Sequence, residues 1–205
     1  MVVNSSKTKE MIIHSRKNFS LDGIAPICID SNSIERFDCF KLLGVFVTSD
    51  LTWDVSVTHL FNKVAKRFCR ICYLVCVGVR ENDILTIYCS IIQTPLEYAC
   101  PVWHPGITKK LSKDIERVQK QCLKMIYSSL LYSQALMTSG LNQLDEWREN
   151  ITMHTFRQIK DSAHPFHPLL PPVKNSQMYL RPTYQYRLPV CQKQIWWWFY
   201  TILYF

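Results

Sequence analysis

The sequence predicts an α+β fold: a small antiparallel sheet, then a helical bundle, then a weakly ordered proline-rich tail. Three observations carry this. Short apolar runs with β-branched residues fill positions 9–48, apolar residues recur at helical spacing from 54 to 161, and six of the ten prolines fall between Pro165 and Pro189. The 205 residues therefore divide into 1–52, 53–161 and 162–205.

Within the first segment Met11-Ile12-Ile13, Ile27-Cys28-Ile29-Asp30 and the longer run Phe40 to Val47 read as strands, with a turn signal at Asp30-Ser31-Asn32-Ser33. The period then becomes helical. Val57, Leu60, Phe61, Val64, Phe68, Ile71, Cys72 and Val75 share one stripe, with Asp54 placed to cap the helix and Gly78 to close it. A second helix is expected from Asn82 to near Ala99, kinked by Pro95, with Ile84, Leu85, Tyr88, Ile91 and Ile92 inward. Pro101, Pro105 and Gly106 mark a loop. A third helix spans about Lys110 to Tyr127, a short one capped by Ser133 precedes Gly140, and a fourth runs from Leu144 to about Asp161. The last eleven residues, Ile195 to Phe205, are almost wholly apolar, but a helix of that length covers only about half of a bilayer core, so no membrane span is expected.

The formal net charge is +8. Residues 1–52 are balanced, whereas 53–130 carry eleven basic and six acidic side chains, so the excess lies in the helical part. A basic excess suits a polyanion, nucleic acid before an acidic membrane; a merely solvated surface is the alternative. The nine cysteines are odd in number and sit mostly within apolar runs, as free, buried thiols of a reducing compartment do. The first ten residues lack the apolar core of a signal peptide, which points to an intracellular protein of nucleus or cytoplasm.

Charge placement is more specific than charge. Lys113, Arg117, Lys120 and Lys124 are spaced four, three and four apart, on one narrow stripe opposite Leu111, Ile115, Val118, Cys122 and Ile126. Lys63, Lys66, Arg67 and Arg70 flank the apolar face of the first helix in a similar way. Such helices bury one side and offer cations at a regular rise on the other, which is what phosphate contacts require. A soluble helix decorated with lysine is the alternative.

No catalytic residue is expected. The sequence has no Asp-Asp pair, and Asp145-Glu146 stands at a helix start, where acids are common. The five glycines form no phosphate-cradling loop. Cys69 and Cys72, with Cys100 and His104, have weak ligand spacings but lie within helical or apolar context, so no metal or cofactor is expected.

Several segments, in order, resemble the region after the catalytic palm in reverse transcriptases of non-LTR retrotransposons of the jockey and CR1 kind. Asn4 with Lys7-Thr8-Lys9-Glu10-Met11 is similar to that family's Asn-Pro-Ser-Lys-Thr-Lys segment, with Ser5 where proline is common. Phe40-Lys41-Leu42-Leu43-Gly44-Val45 resembles Phe-Lys-Tyr-Leu-Gly-Val, followed by Leu51-Thr52-Trp53; then come LEYACPVWHP at Leu96 to Pro105 and Ile115-Glu116-Arg117-Val118-Gln119-Lys120. The resemblance covers roughly Asn4 to Pro189. It implies an end-of-palm β segment, then thumb-like and connection helices that grip a template–primer of RNA or DNA. It implies that Lys7 lies near the nucleotide site and that the missing palm portion is a possible partner. The family's polymerase carboxylates, and the magnesium they hold, would precede Met1, so a binding fragment without its own chemistry is expected. The first forty-odd residues, with Lys7-Thr8-Lys9-Glu10-Met11-Ile12-Ile13, also resemble the short N-terminal domain named for AlkB-like alkylated-DNA-repair proteins that carry a tRNA methyltransferase. That family's dioxygenase and methyl-donor motifs are absent: none of the six histidines is followed two residues later by Asp or Glu. A non-catalytic interaction module is the third reading.

Overall fold

The computed structural model describes residues 7–14 and 23–170. The aromatic run Ile195–Phe205 and most of the proline-rich tail lie outside them. Two small antiparallel sheets precede a set of helices, the α+β order expected. The first sheet is the hairpin β1 (Cys28–Ile29) and β2 (Asn32–Ser33). Its turn is Asp30-Ser31, both with positive φ, a conformation that short polar side chains tolerate.

The run Phe40–Val47 is not one strand. It folds back as β3 (Cys39–Leu42) and β4 (Val45–Thr48), with Leu42 opposite Val45. The two residues between them, Leu43 and Gly44, have φ of 48° and 92°, the left-handed pair of a tight hairpin turn. Met11–Ile13 forms no strand either: only Glu10 bridges to Arg36, in parallel, and the bridge is held by a two-pronged Arg36–Glu10 ion pair with both bonds at 3.2 Å. The single sheet expected is therefore two separate ribbons, each too short to bury a face of its own.

Helix α1 (Asp54–Cys76) buries Val57, Val64 and Ile71. Its cap residue is Trp53 and no side chain caps it; Asp54 is instead the first helical residue, favourable against the helix dipole. Gly78, at φ 79°, closes the helix as expected, donating to the Val75 carbonyl.

The second helix is α2 (Glu81–Tyr88), a π-helical stretch at Cys89–Gln93, and α3 (Thr94–Glu97). Pro95 has no N–H for the carbonyl of Ile91, four residues back. The chain absorbs this in a π-helical segment, and Arg67 from α1 donates to that Ile91 carbonyl at 2.5 Å. The helix ends where Ala99 turns left-handed at φ 52°.

The corner that follows is α4 (Cys100–Trp103) and a 3-10 turn at His104–Gly106. Leu96, Cys100, Trp103, His104 and Pro105 are all buried there, and Trp103 Nε1 donates to the Tyr98 carbonyl at 2.8 Å. Helix α5 (Lys109–Ile126) begins at Thr108, whose hydroxyl accepts from the Leu111 N–H. Helix α6 (Tyr132–Ser139) starts one residue before Ser133, which is therefore not its cap; the Gln134 side chain accepts from the Leu131 N–H instead. Helix α7 (Leu144–Ile159) and a 3-10 turn at His167–Leu169 complete the described chain.

One apolar core joins α1, the α2–α3 helix, the corner, α5 and the start of α7, and Val45 of the second hairpin reaches into it. Among the described residues no helix is long and apolar enough to cross a membrane. The eight described cysteines are free. Only Cys100 and Cys122 are fully buried; Cys28, Cys69 and Cys76 are exposed, contrary to the expectation that most would be core thiols. On α1 the apolar stripe leaves Cys69 and Cys76 on its solvent side.

Candidate nucleic-acid interface

Helix α5 is held by its buried side. Ile115, Cys122 and Leu123 have no exposure, and Glu116 and Gln119 are buried beside them. These polar groups are paired inward. Glu116 accepts from the Leu144 N–H at 2.9 Å and from the Tyr132 hydroxyl, while Gln119 accepts from the Tyr88 hydroxyl at 3.1 Å and donates to the Asn142 carbonyl at 2.8 Å. Both hydrogen-bond acceptance by Glu116 and burial act on Tyr132, burial most, and raise its pKa. The rotation of α5 is thus fixed by polar as well as apolar contacts.

That rotation sends Lys113, Arg117, Lys120 and Lys124 to solvent together. Over eleven residues the stripe is about 16 Å long, the rise of about five nucleotides of one strand. Arg117 is tied to Asp114 at 3.0 Å, and Lys120 stands 4.9 Å from the Tyr132 ring centre. Among the described residues no carboxylate pairs with Lys113, Lys120 or Lys124.

The α1 cations are not part of that surface. Phe61, Val64 and Phe68 of α1 line a groove with Asp114, Arg117 and Val118 of α5, and Cys72 lies 3.6 Å from Met125. Lys63, Lys66 and Arg70 are exposed, but about 130–170° round the helix from Phe61, Val64 and Phe68. Arg67 is half-buried and committed to the Ile91 carbonyl, so it is a structural residue rather than a free cation. Lys7 is exposed and lines a cavity with Lys9, Glu10, Met11, Phe37 and Phe40, none of which is on α1 or α5. Lys63 has neighbours that the sequence reading missed: Lys41 from β3, and Ser56 and His59 from α1, line one cavity with it. The only sequence signal was the four-residue spacing of His59 and Lys63.

No family model matches the sequence, and no curated protein or solved structure matches it.

The other polar cluster is internal. Arg148 is fully buried on α7, donating to Ser112 Oγ at 3.0 Å, 3.5 Å from Asp145 and 5.6 Å from the Trp103 ring centre. Burial lowers its pKa, against the opposing charge of Asp145 and Glu116. Burial and the Arg148 charge together push His104 down to about 4, with Asp145 acting in the other direction. Among the described residues no three His, Cys, Asp or Glu side chains are grouped to hold a metal ion. The cluster therefore reads as the fastening between α7, α5 and the corner.

Proposed function

We propose that this chain is a nucleic-acid-binding module that grips the phosphate backbone of a template–primer duplex, in the manner of the thumb of a reverse transcriptase, and performs no polymerisation by itself. The observation that carries the reading is the exposed α5 stripe, four cations aligned on the face opposite the buried one. Only one of the four is engaged by a carboxylate among the described residues. Cations on a rigid helix contact phosphates without reading bases, so binding is sequence-independent and strongly salt-dependent. The ordered likeness of Phe40–Val45, Leu96–Pro105 and Ile115–Lys120 to the non-LTR retrotransposon polymerases favours a duplex of template and primer over other polyanions.

The test is binding of the full chain to a fluorescent primer–template across a salt series. Three to four phosphate contacts give a slope of log affinity against log salt of about −3 to −4. Lys113→Gln/Lys120→Gln/Lys124→Gln is expected to reduce that slope to about −1. A flat salt dependence in the unmodified chain, or an unchanged slope in the triple variant, refutes the reading.

A further inference from the structure

The second hairpin, α1 and the Pro95–Trp103 segment border a half-open cavity of about 110 Å³. Its polar walls are Lys41 on β3 and Ser56, His59 and Lys63 on α1, and its apolar wall includes Tyr98 and Trp103. One ring organises the basic side: Phe46 of β4 stands 4.8 Å from the His59 ring and 5.4 Å from Lys41 Nζ. Among the described residues no carboxylate pairs with Lys41, His59 or Lys63, and none lines the cavity. Two lysines, a histidine and a serine thus border one small space with no carboxylate among its lining residues.

We infer that this cavity receives a terminal phosphate group, a phosphomonoester. Size and charge decide the class. Sites for drug-sized ligands run from about 300 Å³ upward, so a recess this small suits a group of a few heavy atoms such as a phosphoryl. An internal phosphodiester carries one charge and continues in both directions. A terminal phosphate carries close to two at neutral pH, which matches two lysines beside one small recess. With the proposed function, on which this inference rests for its source, the phosphate is that of a polynucleotide end; free inorganic phosphate shares the chemistry.

The test uses the full chain and single-stranded ten-nucleotide probes carrying a 5′-phosphate, a 3′-phosphate or neither. One phosphorylated probe is expected to bind about tenfold tighter than the unphosphorylated one, which also identifies the end that is read. In Lys41→Gln/Lys63→Gln the ratio of the two affinities falls to about one. In Lys113→Gln/Lys120→Gln/Lys124→Gln both affinities fall and the ratio is kept, which separates this site from the α5 stripe. Equal binding of all three probes, or a ratio that survives Lys41→Gln/Lys63→Gln, overturns the inference. If no probe binds, the proposed function fails, and inorganic phosphate followed by the His59 ring signals in NMR decides for the cavity. Signals that move with phosphate in the unmodified chain, but not in Lys41→Gln/Lys63→Gln, sustain the site; unmoved signals overturn it.

Discussion

Glu116 and Arg148 are the buried charged residues of the helical part among the described residues. Glu116 is a buried acceptor for two donors, the Leu144 N–H that starts α7 and the Tyr132 hydroxyl of α6. Glu116→Ala strands both, and each buried unsatisfied group costs about 1–3 kcal/mol, so urea unfolding should show a loss of about 3 kcal/mol. His104 gives the pH counterpart. The unfolded imidazole takes up its proton near pH 6.5, and the folded one, desolvated beside Arg148, only near pH 4. Between those values unfolding binds a proton, so acid removes stability that is fully present above about pH 6.5, to a limit of about 3 kcal/mol. The stability advantage of the unmodified chain over His104→Gln should therefore shrink from pH 7 to pH 4; a constant difference would show that His104 is not held neutral. The apolar context of His104 was readable from the sequence; the burial of Glu116 and Arg148 was not. A helical Arg or Glu reads as solvent-facing, and only the packing of α7 across the corner removes Arg148 and Glu116 from water.

The helices were legible because their apolar residues recur at helical spacing, and Gly78 and Gly140 mark the ends of α1 and α6. The second hairpin was not, because its turn lies inside an apolar run, with Leu43 at φ 48° where sequence offers no polar signal. The α5 stripe was legible because a helix wheel needs only spacing. That the α1 cations lie apart from that stripe was not, since it depends on which side of α1 meets α5. Arg67 shows the difference. Its bond to the Ile91 carbonyl replaces the one Pro95 cannot make. Arg67→Met should cost about 1–2 kcal/mol in denaturant unfolding while leaving the salt slope of binding nearly unchanged, the reverse of Lys113→Gln. Thiol labelling followed by peptide mass mapping reads the same orientation of α1. Cys69 and Cys76 should react long before Cys100 and Cys122, which burial hides and whose pKa values it raises to about 11 and about 12.

At the scale of the whole molecule, Trp53 against Gly106 is one of the contacts that join the second hairpin to the helices, beside Val45 in the core and the Tyr98 hydroxyl donating to the Leu43 carbonyl. Trp53 is 6% exposed and stands at the start of α1, directly after the second hairpin, while Gly106 ends the corner that leads into α5. A methyl on Gly106 would lie 2.8 Å from the indole Cδ1 and closer still to Nε1. The ring is packed in the core and its N–H has no hydrogen-bond partner among the described residues, so it has little room to yield. The requirement for glycine here is steric, unlike Gly23, whose φ of 90° favours glycine but whose side-chain space is open. Gly106→Ala should cost about 2 kcal/mol by overpacking, against about 1 kcal/mol for Gly23→Ala by backbone strain. Because Trp53 belongs to the same core as Leu144 of α7, the loss should appear as one cooperative shift, with tryptophan fluorescence and far-ultraviolet circular dichroism moving together. A Gly106→Ala change smaller than that of Gly23→Ala, or a fluorescence transition that separates from the loss of helix, would mean that hairpin and bundle are not joined through this contact.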